Sequence, residues 1–199
     1  MRALLYRCWR GGDGVTRAPR AALILAAVIF LVDFATKYWV TSVLDLDGLG
    51  AQKQVTSFFD LSFVTNCGIS LGLIGDYTDT QWVRVAVTGV TSAIAAAVLV
   101  WLWRERNATD RLALGSVLGG ALGNIMDRVI PNGVLGKVTS GAVEYPGCVI
   151  DFADLHIGGY RPFLVFNVAD AAITIGVLVL LGRALLGRDK HAPTESSHA

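Results

Sequence analysis

Two aspartates in the second half of the chain have the residue type and surroundings for acid–base chemistry. Asp151 lies in the string GCVIDF, and Asp170 lies in FNVAD, one turn inside the hydrophobic run that follows. Two close carboxylates cannot both ionise easily, so one of them keeps a proton near neutral pH. The ionised partner can then remove a proton from water while the protonated partner hydrogen-bonds a carbonyl group. The pair predicts hydrolysis of an amide bond.

Each aspartate also has a structural interpretation. Asp151 alone is an ordinary loop carboxylate, and Asp170 alone could cap a helix or support helix packing. However, no basic residue lies within a helical turn of Asp170, and unpaired acids are rare in membrane-spanning helices. The spacing of Asn167, Asp170 and Thr174 also predicts a polar stripe on one helix face. We expect that stripe to face protein or trapped water.

The composition predicts that a membrane surrounds these residues. Of 199 residues, 53% are hydrophobic and only 17% are charged, with a mean hydropathy of +0.53, which is too apolar for an ordinary soluble domain. Four apolar segments are long enough to cross a hydrocarbon core of about 30 Å. They cover residues 21–39, 82–103, 112–130 and 166–186. The predicted fold class is therefore an all-α polytopic membrane protein with four transmembrane helices.

Charge placement predicts how the chain is oriented. Basic residues concentrate in the N-terminal tail (1–20), the turn at 104–111 and the C-terminal tail (187–199), whereas the opposite connections hold few. The positive-inside rule then places both termini in the cytoplasm, and the domain at 21–186 in the membrane. Both aspartates would lie at the outer face. Residues 54–73, rich in β-branched and aromatic side chains, predict a small strand-rich element on that same face.

Two further acids have simpler explanations. Asp33 and Lys37 are spaced i, i+4 on the first helix and can pair locally, and Asp127 adjoins Arg128 in the last turn of the third. Paired charges inside a membrane commonly serve as scaffolding, so we expect structural support from these residues.

A small proton-coupled transporter or channel is the alternative function. Asp33, Asp127 and Asp170 would then form a relay across the membrane. All three are predicted to lie toward the outer ends of their helices, and the inner halves hold almost no ionisable groups. A relay needs such groups across the full thickness, so hydrolysis is the better interpretation.

Five ordered motifs resemble one known family. They are VDFATK (32–37), TNCG (65–68), GNIMDR (123–128), GCVIDF (147–152) and FNVAD (166–170). In this order, on four predicted helices, they resemble the lipoprotein signal peptidases, the type II signal peptidases of bacteria. The resemblance covers nearly the whole chain, from about residue 21 to residue 186.

The resemblance implies a fold, an activity and a set of site residues. It implies four transmembrane helices with a small extracytoplasmic β-cradle, and an aspartyl endopeptidase of the bacterial inner membrane. Asp151 and Asp170 match the catalytic dyad. The residues that match supporting or substrate-positioning positions are Asp33, Lys37, Asn66, Gly68, Asn124, Asp127, Arg128 and Asn167. The implied substrate is a prolipoprotein with a diacylglyceryl-modified cysteine, which is cut just before that cysteine.

The resemblance and the composition also limit the partners. We expect contact with membrane lipids and prolipoproteins, no nucleic acid, no cofactor, and a monomer. The cysteine and histidine spacing contains no HExxH or other recognisable metal motif, so no metal site is predicted.

The sequence departs from the family pattern in three places. NCGISL stands where NxGxAF is usual, Cys148 replaces a histidine, and residues 131–146 form an insertion. Cys67 and Cys148 would both face outward, where disulfides are permitted. We expect free thiols, because two cysteines of unknown geometry are weak support for a bridge.

Overall fold

The computed structural model describes residues 19–46, 48, 50–66, 81–130 and 148–188. In these ranges the chain forms four α-helices and three β-strands. They are α1 (Arg20–Tyr38), β1 (Gln52–Gln54), β2 (Phe59–Asn66), α2 (Gln81–Arg104), α3 (Ala108–Val129), β3 (Val149–Leu155) and α4 (Val168–Arg188). A π-helical turn, Trp39–Val43, extends α1. Most of the two predicted tails and all of the insertion at 131–146 lie outside the described residues.

Two helices begin at caps rather than where their apolar runs begin. The predicted start of α3 was residue 112, but the Oδ1 atom of Asn107 accepts hydrogen bonds from the backbone N–H groups of Thr109 and Asp110, at 2.9 and 3.2 Å. A capped N-terminus is stabilised several residues before the first apolar face. α4 begins at Val168 instead of residue 166, because Phe166 pairs with β3.

Three helical segments are long and apolar enough to cross a membrane: Arg20–Val43, Trp82–Arg104 and Val168–Leu186. α3 is less apolar, yet it packs against the other three helices and buries the largest share of its residues. A helix enclosed by protein needs less apolar surface than one that faces lipid. The structure therefore shows four packed helices, three of which have the composition of membrane spans.

Glycines on α3 allow its neighbours to approach backbone to backbone. A Cβ atom added at Gly115 would lie 2.5 Å from the carbonyl oxygen of Ala22, and one at Gly119 would lie 2.6 Å from that of Ala26. The same atom added at Gly120 would collide with the carbonyl oxygen of Ala169 on α4. Gly115 and Gly119 therefore let α1 approach α3 closely along one stripe, and Gly120 does the same for α4.

The three strands form an antiparallel sheet in the order β1-β2-β3. Ser62 pairs with Gln52 on one side of β2, and Asn66 pairs with Val149 on the other. The strand-rich prediction for 54–73 is confirmed up to residue 66, and residues 67–73 lie outside the described residues. The interpretation of Asp151 as a loop carboxylate is wrong, because its backbone pairs with Val64 inside a buried strand.

The sheet packs on the end of α1. Val40 in the π-helical turn is fully buried, and it shares an apolar cluster with Leu46, Leu61, Phe152 and Ala153. The cluster joins the strand that carries Asp151 to the helix that carries Asp33 and Lys37. The sheet and the helix bundle therefore meet where the predicted site residues lie.

Candidate active site

The N-terminus of α4 is closed by a reciprocal capping box. The Oδ1 atom of Asn167 accepts a hydrogen bond from the backbone N–H of Asp170 at 2.9 Å, and the Oδ2 atom of Asp170 accepts one from the backbone N–H of Asn167 at 3.3 Å. An Asn at the cap with an acid three residues later satisfies two unpaired helix donors. Asp170 is thereby held in one place, and its Oδ1 atom points toward α3.

Asn167 joins the two predicted dyad residues. Its Nδ2 atom donates to Oδ1 of Asp151 at 2.7 Å and also lies 3.2 Å from the carbonyl oxygen of Ile150. Its other amide atom is the one that caps Asp170. Because the Asn167 side chain is 1% exposed, it has little freedom to move. One buried residue therefore positions both aspartates, Asp151 through its side chain and Asp170 through the helix cap.

Two further amides complete the surroundings of the dyad. Asn124 on α3 donates to Oδ1 of Asp170 at 2.8 Å and accepts from Nδ2 of Asn167 at 3.2 Å. Asn66, at the end of β2, donates to Oδ2 of Asp151 at 3.4 Å. The two carboxylates thus receive hydrogen bonds from side chains on β2, α3 and the α4 cap.

A buried lysine lies behind the dyad. The Nζ atom of Lys37 lies 2.7 Å from Oδ2 of Asp33 and 2.7 Å from Oδ2 of Asp127, and it also donates to Asn124 at 3.5 Å. Both Lys37 and Asp33 are 1% exposed. One cation is thus shared by two carboxylates in an interior where an unpaired charge is costly.

The same three charges hold the backbone beside each dyad residue. The other oxygen of Asp33, Oδ1, accepts from the backbone N–H of Ala169 at 2.9 Å, next to Asp170. Asp127 accepts from the backbone N–H of Ile150 at 3.3 Å, next to Asp151. The lysine and its two carboxylates therefore fix the separation between α4 and β3.

Arg128 brings a second positive charge to this region. It lies within electrostatic range of Asp127, Asp151 and Asp170, and its Nη1 atom donates to the carbonyl oxygen of Asn124 at 3.2 Å. Its Nε atom is buried without a hydrogen-bond partner among the residues that the structure describes.

The surroundings of Asp151 change the acidity of its carboxyl group. Burial raises its pKa, and the negative charge of Asp170 raises it further. Lys37 and the amides of Asn66 and Asn167 oppose these effects but only partly, so the pKa of Asp151 reaches about 7. A carboxyl group with this pKa keeps a proton over much of the neutral range, as one member of an acid–base pair must.

Comparison with known proteins shows the family to which the chain belongs. The family described as Signal peptidase (SPase) II matches residues 25–186. The chain belongs to the signal peptidase II family. The lipoprotein signal peptidase of Sphingopyxis alaskensis is 52% identical over 87% of this chain and 91% of its own length. That of Rhizorhabdus wittichii is 44% identical over 88% and 91%.

Two solved structures have the same fold as this signal peptidase II family member. Both are described as bacterial membrane enzymes. One has a TM-score of 0.64 at 24% identity, covering 90% of this chain and 94% of its own. The other has a TM-score of 0.62 at 26% identity, covering 83% and 92%. With its three long apolar helices, the chain is a multi-pass membrane protein and a peptidase of this family.

The predicted site residues that the structure describes all lie together in this signal peptidase II family member. Gly68, the remaining predicted residue, lies outside the described residues. Two predicted details are wrong. Asp127 pairs with Lys37 across helices, rather than with the adjacent Arg128. Thr174 is exposed, so the polar stripe of α4 ends at Asp170.

Sequence reasoning missed several features of the site. The backbone amides of Ile150 and Ala169, which anchor the two halves of the dyad, carry no sequence signal. The capping box did have a sequence signal, because Asn167 and Asp170 have the spacing of a cap residue and its reciprocal acid.

The expectation of free outward-facing thiols is wrong for Cys148. This residue is disulfide-bonded, and the other two cysteines of the chain, Cys8 and Cys67, lie outside the described residues. The sequence could not show the bridge because its geometry depends on strand register.

Proposed function

We propose that this protein is an aspartyl endopeptidase whose catalytic dyad is Asp151 and Asp170. The observation that carries the proposal is the buried residue Asn167, whose side-chain amide donates to the Asp151 carboxylate and whose backbone N–H donates to the Asp170 carboxylate, so that it joins them into one site. The raised pKa of Asp151 supports the same assignment, because such a pair can hold one proton between its members.

The dyad supplies both an acid and a base. The ionised carboxylate removes a proton from a water molecule, which attacks the scissile carbonyl carbon, while the protonated carboxyl hydrogen-bonds the carbonyl oxygen. The proton of the attacking water then reaches the leaving amine. The protonation state belongs to the pair, so the two roles are assigned to the dyad as a unit.

The substrate that we propose is a prolipoprotein whose cysteine carries a diacylglyceryl group. Relatives that are 52% and 44% identical are named lipoprotein signal peptidases, and the membrane-embedded architecture suits a lipid-anchored peptide. The protein cuts just before the modified cysteine and releases the signal peptide. The transporter alternative is not supported, because both of these relatives are peptidases by name.

A particular orientation follows from the distribution of basic residues. We propose that α3 crosses the bacterial cytoplasmic membrane with the other three helices, since it is enclosed by them and has 22 residues. The termini then lie in the cytoplasm, and the dyad and the sheet face outward. The protein acts as a monomer, with residues 21–186 as its peptidase domain and short cytoplasmic tails on either side.

Lipid modification of the substrate is expected to raise kcat/KM strongly. Each buried methylene of the diacylglyceryl group contributes about 0.8 kcal/mol to membrane attachment, so the lipid holds the cleavage region beside the dyad. Initial cleavage rates of one precursor with and without the lipid, measured in the same detergent, test the proposal. Equal rates for the two forms would show that the lipid does not position the substrate.

Activity is expected to fall as the pH rises through about 7. The pKa of Asp151 is raised to about 7, so the dyad retains its shared proton below that pH and loses it above. With two ionised carboxylates, no acid remains to hydrogen-bond the scissile carbonyl. A profile of kcat/KM between pH 5 and pH 9 should decline by up to about tenfold per unit on its alkaline limb. A profile that stays flat up to pH 9 would contradict the shared proton.

A further inference from the structure

Cys148 lies next to the start of the strand that carries Asp151. It is 5% exposed and disulfide-bonded, and it comes directly before β3, three residues ahead of Asp151. Its neighbour Val149 is the first residue of β3 and pairs with Asn66, the last residue of β2. The bridge therefore starts directly beside the last pair of residues that the structure describes between β2 and β3.

The register of the two strands identifies the other half of the bridge. The register of the described pairs ends at Asn66 and Val149, and Cys67 follows the first of these in sequence while Cys148 precedes the second, so continuing that register by one step would set the two cysteines opposite each other. Opposed residues in such a ladder have Cα atoms roughly 4.5–5.5 Å apart, within the range that a disulfide spans. We propose that Cys67 and Cys148 form an intramolecular disulfide that ties β2 to β3 beside the dyad.

The remaining cysteine is a poor partner. Cys8 precedes α1, which begins at Arg20, whereas the dyad lies near Lys37 at the other end of that helix. The helix is about 28 Å long at about 1.5 Å per residue, so the tail would have to run back along its full length. Under the proposed topology the two ends also lie on opposite sides of the membrane.

The bridge stabilises one specific contact of the dyad. Asn66 reaches Oδ2 of Asp151 only at 3.4 Å, so a small separation of the strands would break this hydrogen bond. A covalent bond one residue beyond the Asn66–Val149 pair prevents the strand ends from separating. This consequence for cleavage rests on the proposed function, whereas the existence of the bridge does not.

Formation of the bridge is an oxidation that needs a partner. The two cysteine thiols lose two protons and two electrons as the S–S bond forms. A disulfide-bearing oxidoreductase accepts them by thiol–disulfide exchange, and its own S–S bond is reduced to two thiols. Such oxidants act outside the cytoplasm, on the side where the proposed topology places β2 and β3.

Peptide mapping tests the pairing without reference to activity. The purified full chain is alkylated, digested without reductant and analysed by mass spectrometry. We expect a cross-linked peptide pair containing Cys67 and Cys148, about 2 Da lighter than the sum of its two thiol forms, together with alkylated Cys8. Alkylated Cys67 and Cys148, a link from Cys148 to Cys8, or a link between two chains would overturn the proposal.

Reduction tests the role of the bridge in cleavage. Dithiothreitol is expected to lower the cleavage rate of the wild type and of the control Cys8→Ala by roughly threefold to tenfold, since small displacements of catalytic groups are costly. The double variant Cys67→Ala/Cys148→Ala should show the lowered rate with and without reductant. Unchanged wild-type activity after complete reduction would contradict the positioning role. A wild type that cleaves no prolipoprotein would instead refute the proposed function, while the peptide map would still decide the bridge.

Discussion

Replacing Asp151 or Asp170 with asparagine is expected to lower kcat for prolipoprotein cleavage by about 10²–10⁴-fold. The amide keeps the shape of the carboxyl group but can neither accept the proton of the attacking water nor share a proton with its partner. Asn167 can still contact either amide, so the fold and substrate binding should be retained. Single-turnover rates with a lipid-modified precursor in detergent measure the loss.

The double variant sharpens this test. Because the two carboxylates act as a unit, Asp151→Asn/Asp170→Asn should lose no more than about the larger single loss, rather than the product of the two. Asp110→Asn is the matched control. That carboxylate pairs with Arg183 at 2.5 Å, near the far end of α3, and its loss should leave kcat unchanged. Losses that multiply would indicate two independent roles.

Replacing Lys37 with methionine is expected to destabilise the protein by about 3–5 kcal/mol, because Asp33 and Asp127 are left without their shared cation. The two carboxylates hold the backbone at Ala169 and Ile150. Their repulsion should therefore separate α4 from β3 and also lower kcat. Thermal unfolding in detergent and the cleavage rate measure the two effects.

Two comparison variants separate charge from packing. Lys53→Met removes a lysine from the exposed strand β1 and should change neither the melting temperature nor the rate. Asp33→Asn/Lys37→Met/Asp127→Asn removes the whole charge cluster, and it should be more stable than Lys37→Met alone, because no buried carboxylate is left unpaired. If Lys37→Met melts at the same temperature as the wild type, the lysine does not hold the site together.

The sequence allowed prediction of the helices and of the dyad. The apolar runs that contain Ile24, Val98 and Leu180 are long and almost free of charge, so their length alone indicated helices. Asp170 was conspicuous because an acid without a local cation is unusual in such a run. These are local signals, carried by neighbouring residues in the chain.

The features that the sequence did not predict depend on contacts between distant segments. Asp151 lies in a strand because it pairs with Val64, although α2 and α3 separate the two residues in the sequence. Asp127 contacts Lys37 rather than its neighbour Arg128 because α1 and α3 approach along a glycine stripe. Periodicity describes the faces of one helix, and it cannot specify which face of another helix is opposite.

The most direct test of the central claim is a mass-spectrometric time course of prolipoprotein cleavage. One diacylglyceryl-modified precursor is incubated with equal amounts of the wild type, Asp151→Asn and Asp170→Asn, each first shown to be folded and to bind the precursor. The dyad predicts that the wild type releases a signal peptide that ends at the residue before the modified cysteine, and that both variants leave the precursor intact. Release of that peptide by either variant at the wild-type rate would contradict an Asp151–Asp170 dyad.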